Sequence, residues 1–192
     1  MWLLLASKSP RRRQLLEQLR LPLTVVDAEV EETLPASLPA SRVAEALACR
    51  KSDAYIAPLA NDEVLVTADT VVVLDGQPMG KPQSRDQALD MLRRLSGRVH
   101  QVYTGVSLRT AQRSTAFTEC TDVHFRQLTE AEIAHYVDTY RPFDKAGAYG
   151  IQEWIGMVGI ERIEGCYYNV MGLPVARLYK ELMSLTSLEE GV

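Results

Sequence analysis

Apolar positions along the chain fall into short runs and helical stripes that alternate. Residues 2–6 form an apolar run of strand length. Ser9-Pro10 follows it as a helix N-cap with a first-turn proline, and Leu15, Leu16 and Leu19 give that helix one apolar side. Leu23 to Val26 is a second strand-like run, and a helix is expected across roughly 41–57 on Ala44, Leu47, Ala48 and Tyr55. The valine-rich stretch Val64 to Leu74 reads as strand interrupted at Ala68-Asp69-Thr70, with a turn at Asp75-Gly76. Ser84 to Gln87 makes a capping box ahead of Ala88, Met91, Leu92 and Leu95, and Gly97 closes that helix. Val99 to Leu108 and Ala116 to Phe125 are two more strands. Thr129 with Glu132 caps a helix carrying Ile133, Tyr136 and Val137. A strand is expected from Val158 to Ile163, and a closing helix on Val175, Leu178, Tyr179 and Leu182. No repeat, low-complexity segment or linker divides the chain. The pattern predicts one α/β domain over 1–192, a mixed twisted sheet with flanking helices.

Polar residues break this pattern at a few places. Ser9-Pro10-Arg11-Arg12-Arg13 puts three cations in the first turn of a helix, where the backbone already carries partial positive charge. Either the arginines are solvated, or an anion is held there by helix amides, the hydroxyls of Ser7 and Ser9, and the guanidinium groups of Arg11 and Arg12. The position directly after a first strand suits a phosphate cradle, although there is no Walker sequence. Lys51 falls on the apolar stripe of its helix, so its head group either snorkels to solvent or enters a cleft. Lys81, in Gly80-Lys81-Pro82, is a loop cation ahead of a helix. Asp69 stands among valines, where a carboxylate is costly without partners. It is either satisfied by backbone donors in a bulge or aimed at a metal or a water. Glu29, Glu31 and Glu32 follow the second strand and offer a partner carboxylate for a divalent cation.

Charge and cysteines narrow the function classes. Twenty-one basic residues against 25 acidic ones give a net charge of -4, which disfavours stable nucleic-acid binding. The short apolar start, with its charges on the wrong side, is not a signal peptide, and no run reaches membrane-span length; a cytoplasmic protein with no membrane partner is expected. Cys49, Cys120 and Cys166 lack metal-ligand spacing and are expected as free thiols, many of them buried.

Several motifs in order resemble one family. Ser7-Lys8-Ser9-Pro10-Arg11-Arg12 is similar to the S-x-S-P-R-R signature of the Maf nucleotide pyrophosphatases. Ala68-Asp69-Thr70-Val71-Val72, Gly80-Lys81-Pro82, Leu95-Ser96-Gly97-Arg98 with His100 and Thr104-Gly105-Val106, and Asp144 to Gln152 follow in the same order, and Tyr168 to Pro174 resembles the closing segment. The resemblance implies an elongated, two-lobed fold related to the inosine triphosphate pyrophosphatases, with a central cleft. It also implies a homodimer and a divalent cation: Mg, or Mn or Co.

By that resemblance Asp69 is the proton acceptor that activates water, while Ser7, Arg12, Glu32, Lys51 and Lys81 line the triphosphate and metal site, with Glu32 and Asp69 on the metal. Arg12, Thr70 and Gln152 match the branch that cleaves dTTP and UTP, and the Gln152 amide suits a uracil or thymine edge. Trp154 and the stretch Ile155 to Gly159 depart from the familiar pattern. The implied substrate is a pyrimidine nucleoside triphosphate, cut to monophosphate and pyrophosphate. The alternatives are a 7-methyl-GTP pyrophosphatase and a nucleotide-binding regulator of septum formation without hydrolysis.

Overall fold

The structure, a computed structural model, describes residues 1–27 and 38–187. In chain order its elements are β1 (Trp2–Leu5), α1 (Pro10–Glu17), β2 (Leu23–Val25), α2 (Ala40–Ala54), β3 (Glu63–Leu74), β4 (Gln77–Met79) and α3 (Arg85–Leu95). Then come β5 (Val99–Arg109), β6 (Ser114–Phe125), α4 (Glu130–Tyr140), α5 (Trp154–Gly159), β7 (Ile160–Glu164), α6 (Tyr167–Met171) and α7 (Val175–Ser187). The strands form one mixed sheet in the order β2-β1-β3-β5-β6-β7, with β4 paired to β3. The expected α/β class with a mixed sheet and flanking helices is therefore what the chain adopts.

Two compact units share the long strands. The first comprises Met1–Asp69, Thr104–Glu119 and Gly172–Val192. Here β1 runs parallel to both neighbours, with Leu5 opposite Val25 on β2 and Val66 on β3. Strands buried on both faces read as continuous apolar runs, which is why Leu3, Leu5, Val64, Leu65 and Val66 are all core. Helix α2 lies unusually close to β5. A Cβ at Gly105 would come within 2.2 Å of the Glu45 backbone nitrogen, so only glycine admits the helix at that depth. Thr67 ties β3 to the same helix by donating its hydroxyl to the Ala48 carbonyl at 2.6 Å.

The second unit comprises Thr70–Tyr103 and Cys120–Met171. Its core gathers Leu92 and Leu95 from α3, Ile133 and Tyr136 from α4, and Phe125, Tyr149 and Ile155. Asp75 and Gly76, at φ 52° and 74°, make the tight turn that joins β3 to β4, the conformation a two-residue hairpin requires. Thr129 and Glu132 form the full reciprocal capping box on α4. On α3 the box is half made: Ser84 caps the Gln87 amide, while the Gln87 side chain accepts from Gln83.

Several expectations need correction. Strand β3 is unbroken through Ala68, Asp69 and Thr70. Val158 belongs to helix α5, and the following strand starts at Ile160. Gly156 permits that short helix, since a Cβ there would fall 1.8 Å from the Ile151 carbonyl oxygen. On α7, Leu178 and Leu182 are buried but Tyr179 is exposed. None of the three cysteines forms a disulfide, yet Cys49 and Cys166 are only half-buried and Cys120 is exposed. Among the described residues no helix is long and apolar enough to cross a membrane.

Candidate active site

The parallel register of β1 and β3 decides where the first unit's polar residues meet. With Leu5 opposite Val66, β1 ends while β3 runs on, so the residues just past Leu5 lie alongside those just past Val66 beyond the carboxyl end of β1, where ligands of open α/β sheets bind. Ser7, Ser9 and Arg12 come from the exit of β1, and Asp69 lies within β3, three residues past its last pairing with β1.

Helix α1 begins as its sequence predicts. Ser9 is the N-cap, accepting from the Arg12 amide, and Pro10 opens the helix. The Ser7 hydroxyl accepts from the Ser9 amide at 3.2 Å and from Arg12 Nη1 at 3.3 Å. Arg12 is only 9% exposed. Its Nε donates to the Gly172 carbonyl at 2.8 Å, binding the cradle to the segment before α7. Arg11 is half-buried, whereas Arg13 lies exposed and pairs with Glu17, as a plain surface arginine does.

Lys51 and Asp69 form an ion pair at 2.5 Å, with side chains 15% and 14% exposed. The stripe of α2 buries Ala44, Leu47 and Ala48 against the sheet, so one turn further on Lys51 is delivered to β3. The carboxylate thus gains a charged partner from a facing helix within a regular strand, and needs no bulge.

Thr70, Lys81 and Gln152 belong to the second unit. Thr70 is half-buried and Lys81 exposed. The Gly80 carbonyl accepts from the Gly147 amide at 3.1 Å, so the Lys81 loop is tied to the segment leading to Gln152. Gly147, at φ 68°, sits against Val72, with only 3.0 Å between its would-be Cβ and a valine methyl. The amide oxygen of Gln152 is buried and meets no hydrogen-bond partner among the described residues. Glu29, Glu31 and Glu32 lie outside the described residues.

Other motif residues prove architectural. The Ser96 hydroxyl accepts from the Leu128 amide at 2.7 Å, and Arg98 pairs with Asp75. His100 is fully buried with Nε2 2.7 Å from the Tyr149 hydroxyl, and burial lowers its pKa to about 3. Burial likewise raises the Tyr149 phenol. Sequence reasoning misses a cluster near Gln152, where Tyr136 and Lys145 both meet Glu153. By its spacing Tyr136 is an apolar helix position, and only its phenol oxygen, which donates to Glu153, marks the difference. An open groove of about 430 Å³, lined by Ile151, Met157, Ile160, Arg162, Ile163 and Tyr167 among others, includes none of the predicted site residues.

An arginine–serine cradle at a helix head, beside a lysine-paired carboxylate at the carboxyl end of a parallel strand pair, defines an α/β protein equipped to hold a polyanion next to a proton acceptor. The chain belongs to the family of Maf-like proteins, whose family model matches residues 2–185. It is 48% identical to a dTTP/UTP pyrophosphatase of Bacteroides thetaiotaomicron, over 95% of each chain. It is 49% identical to a dTTP/UTP pyrophosphatase of Phocaeicola vulgatus, again over 95% of each. Among solved structures, the Ham1 protein of Staphylococcus aureus is similar at a TM-score of 0.43 and 18% identity, over 65% of this chain and 72% of that one.

Proposed function

We propose that this chain is a nucleoside triphosphate pyrophosphatase that hydrolyses dTTP and UTP to the monophosphate and pyrophosphate. The observation that carries the reading is the Lys51–Asp69 pair at 2.5 Å, on β3 just past its pairing with β1, the strand whose exit bears the Ser7–Arg12 cradle. The names of the relatives support the same substrates.

In this reading Asp69 accepts a proton from the attacking water, and Lys51 fixes the carboxylate's direction. The water oxygen bonds to the α-phosphorus, the bond from that phosphorus to the bridging oxygen breaks, and pyrophosphate leaves with the electron pair. Ser7, Ser9, Arg11, Arg12, Lys51 and Lys81 bind the triphosphate and neutralise charge as it moves onto the leaving group. A divalent cation (Mg, Mn or Co), when bound, lowers the pKa of water and shields phosphate charge. No described group of three or more His, Cys, Asp or Glu residues is placed to cage an ion. One or two carboxylates plus substrate phosphates suffice for Mg, so the donor chemistry of Asp69 fits, with Glu32 as the second holder. Thr70 and Gln152 select the base, and the Gln152 amide oxygen is suited to accept from the N3–H of uracil or thymine. The working form is a cytoplasmic homodimer, and the chain acts as a single Maf-like domain.

The test is a panel of dTTP, UTP, CTP, GTP and 7-methyl-GTP with Mg, products resolved by chromatography, on the natural chain and Asp69→Asn. Monophosphate plus pyrophosphate from dTTP and UTP is expected. Asp69→Asn is expected to lose at least about a hundredfold in kcat, the lower range for a general base, while still binding nucleotide. Nucleoside diphosphate plus phosphate as products, or full turnover by Asp69→Asn, would reject the reading.

A further inference from the structure

In the stretch of β3 that runs from Val64 to Ala68, Thr67 is the residue with a polar side chain, and it is fully buried. A hydroxyl taken out of water is costly unless it is hydrogen-bonded, and this one donates to the Ala48 carbonyl at 2.6 Å. Ala48 lies inside helix α2, where its carbonyl is already served by the amide four residues on. The helix does not need the threonine to satisfy its backbone. What the bond adds is a fixed joint between helix and strand.

Two residues further along β3, on the same side of the strand, Asp69 meets Lys51 of the same helix at 2.5 Å. Ala48 and Lys51 are three residues apart, hence neighbours on one side of α2. The two bonds together clamp one helix side to one strand side, the first by the helix backbone and the second by the ion pair of the site.

The remaining contacts of α2 set its depth better than its place along its own axis. It buries Ala44, Leu47, Ala48 and Ser52, of which only Leu47 is large, and Gly105 meets it without a side chain. Small residues offer little to interlock, and apolar burial has no direction. At the head of the helix, Pro39 is the N-cap and makes no side-chain capping bond. A hydrogen bond from a strand to a helix carbonyl is directional, so it resists sliding and rotation. Lysine carries its charge on a flexible stem, and its approach to a carboxylate follows the backbone that bears it.

We propose that Thr67 is a positioning residue for proton transfer: by holding the Ala48 carbonyl it fixes the seat of α2 on β3, so that Lys51 engages Asp69 Oδ1 and leaves the second oxygen turned to the attacking water. The inference rests on the reading of Asp69 as the proton acceptor.

The experiment measures the single-turnover rate of pyrophosphate formation from UTP with Mg, KM for UTP and the melting temperature. The chains are the natural one, Thr67→Val, Thr67→Ser, Thr67→Ala and Asp69→Asn. Threonine and valine differ by the hydroxyl alone, as do serine and alanine, so two independent pairs read the same bond, and the second decides if Thr67→Val does not fold. Each chain without the hydroxyl is expected to be slower than its partner by about tenfold or more, with KM changed less than twofold, as displacement of a reacting group acts on the chemical step. Thr67→Ser is expected to stay within about threefold of the natural rate. A lower melting temperature with an unchanged rate would make the bond purely structural and overturn the proposal. Equal losses in the serine and alanine chains, or a loss confined to KM, would overturn it as well. Full turnover by Asp69→Asn would remove the acceptor reading, and this inference with it; an inactive Asp69→Asn beside a fully active Thr67→Val would remove this inference alone.

Discussion

Arg12 shows how one side chain serves both scaffold and site. Its guanidinium spends Nε on the Gly172 carbonyl and Nη1 on the Ser7 hydroxyl, so a residue read as a substrate contact is also a brace between helix α1 and the closing segment. A lysine cannot reproduce that geometry, because its single ammonium lacks the planar fork. Arg12→Lys is therefore expected to lose one charge-assisted hydrogen bond, costing about 2 kcal/mol, together with about tenfold or more in kcat/KM. Thermal unfolding alongside UTP turnover measures both. An unchanged melting temperature would show that the Gly172 contact contributes nothing. Arg13, one residue on, pairs with Glu17 in solvent, and the same signal in the sequence carries no such consequence there.

Among the elements, α2 and β5 show how a distant glycine places a charged group of the candidate site. Lys51 reaches Asp69 because α2 lies nearly against the sheet, and Gly105 is what makes room: both Ala44 and Glu45 main-chain atoms sit within 2.3 Å of where a Cβ would be. Gly105→Ala pits a methyl group against backbone, which cannot yield by a rotamer change. A loss of about 3 kcal/mol is expected, the upper end of ordinary overpacking. That corresponds to a fall of roughly 6–12 °C in melting temperature for a chain of this size. Turnover should fall as well, since α2 must move outward with Lys51 on it. A Gly105→Ala chain with normal stability and activity would mean that this close approach is not what positions the lysine.

For the molecule as a whole, the buried histidine sets an acid limit. Desolvation lowers the His100 pKa from 6.5 to about 3, with a smaller contribution from the neighbouring His124. Between those values the unfolded chain takes up a proton at this position and the folded one does not. Stability present above pH 6.5 is thus lost progressively as the pH falls toward 3, with a slope of up to ~1.4 kcal/mol per pH unit. Carboxylates add their own share in the lower part of that window: Glu132 titrates at about 2 when folded, chiefly through its hydrogen bonds to Arg126. The His100 contribution is cleanest between pH 6.5 and 5, where ordinary carboxylates remain ionised. Denaturant titrations across that range should give a falling stability for the natural chain and a flatter profile for His100→Gln. Equal slopes would remove His100 as the cause.

Local chemistry determined much of this protein in advance. Ser9-Pro10, Ser84 and Thr129 mark helix starts because capping needs only neighbouring atoms, and Asp75-Gly76 marks its turn because a left-handed backbone is a property of the residues themselves. The ordered motifs pointed to the family for the same reason, being strings of adjacent residues. What the sequence left open were contacts made across space. Whether Asp69 bulged or paired depended on where α2 lay, which depended on Gly105. Helix α5 took Val158 and Gly159 from the start of the expected strand, because Gly156 lets the backbone fold onto the Ile151 carbonyl. The network of Tyr136, Lys145 and Glu153 unites residues from a helix and a distant loop, each ordinary in its own surroundings. Burial alone turned them into one group, because a charge removed from water must find its partners wherever the fold has put them.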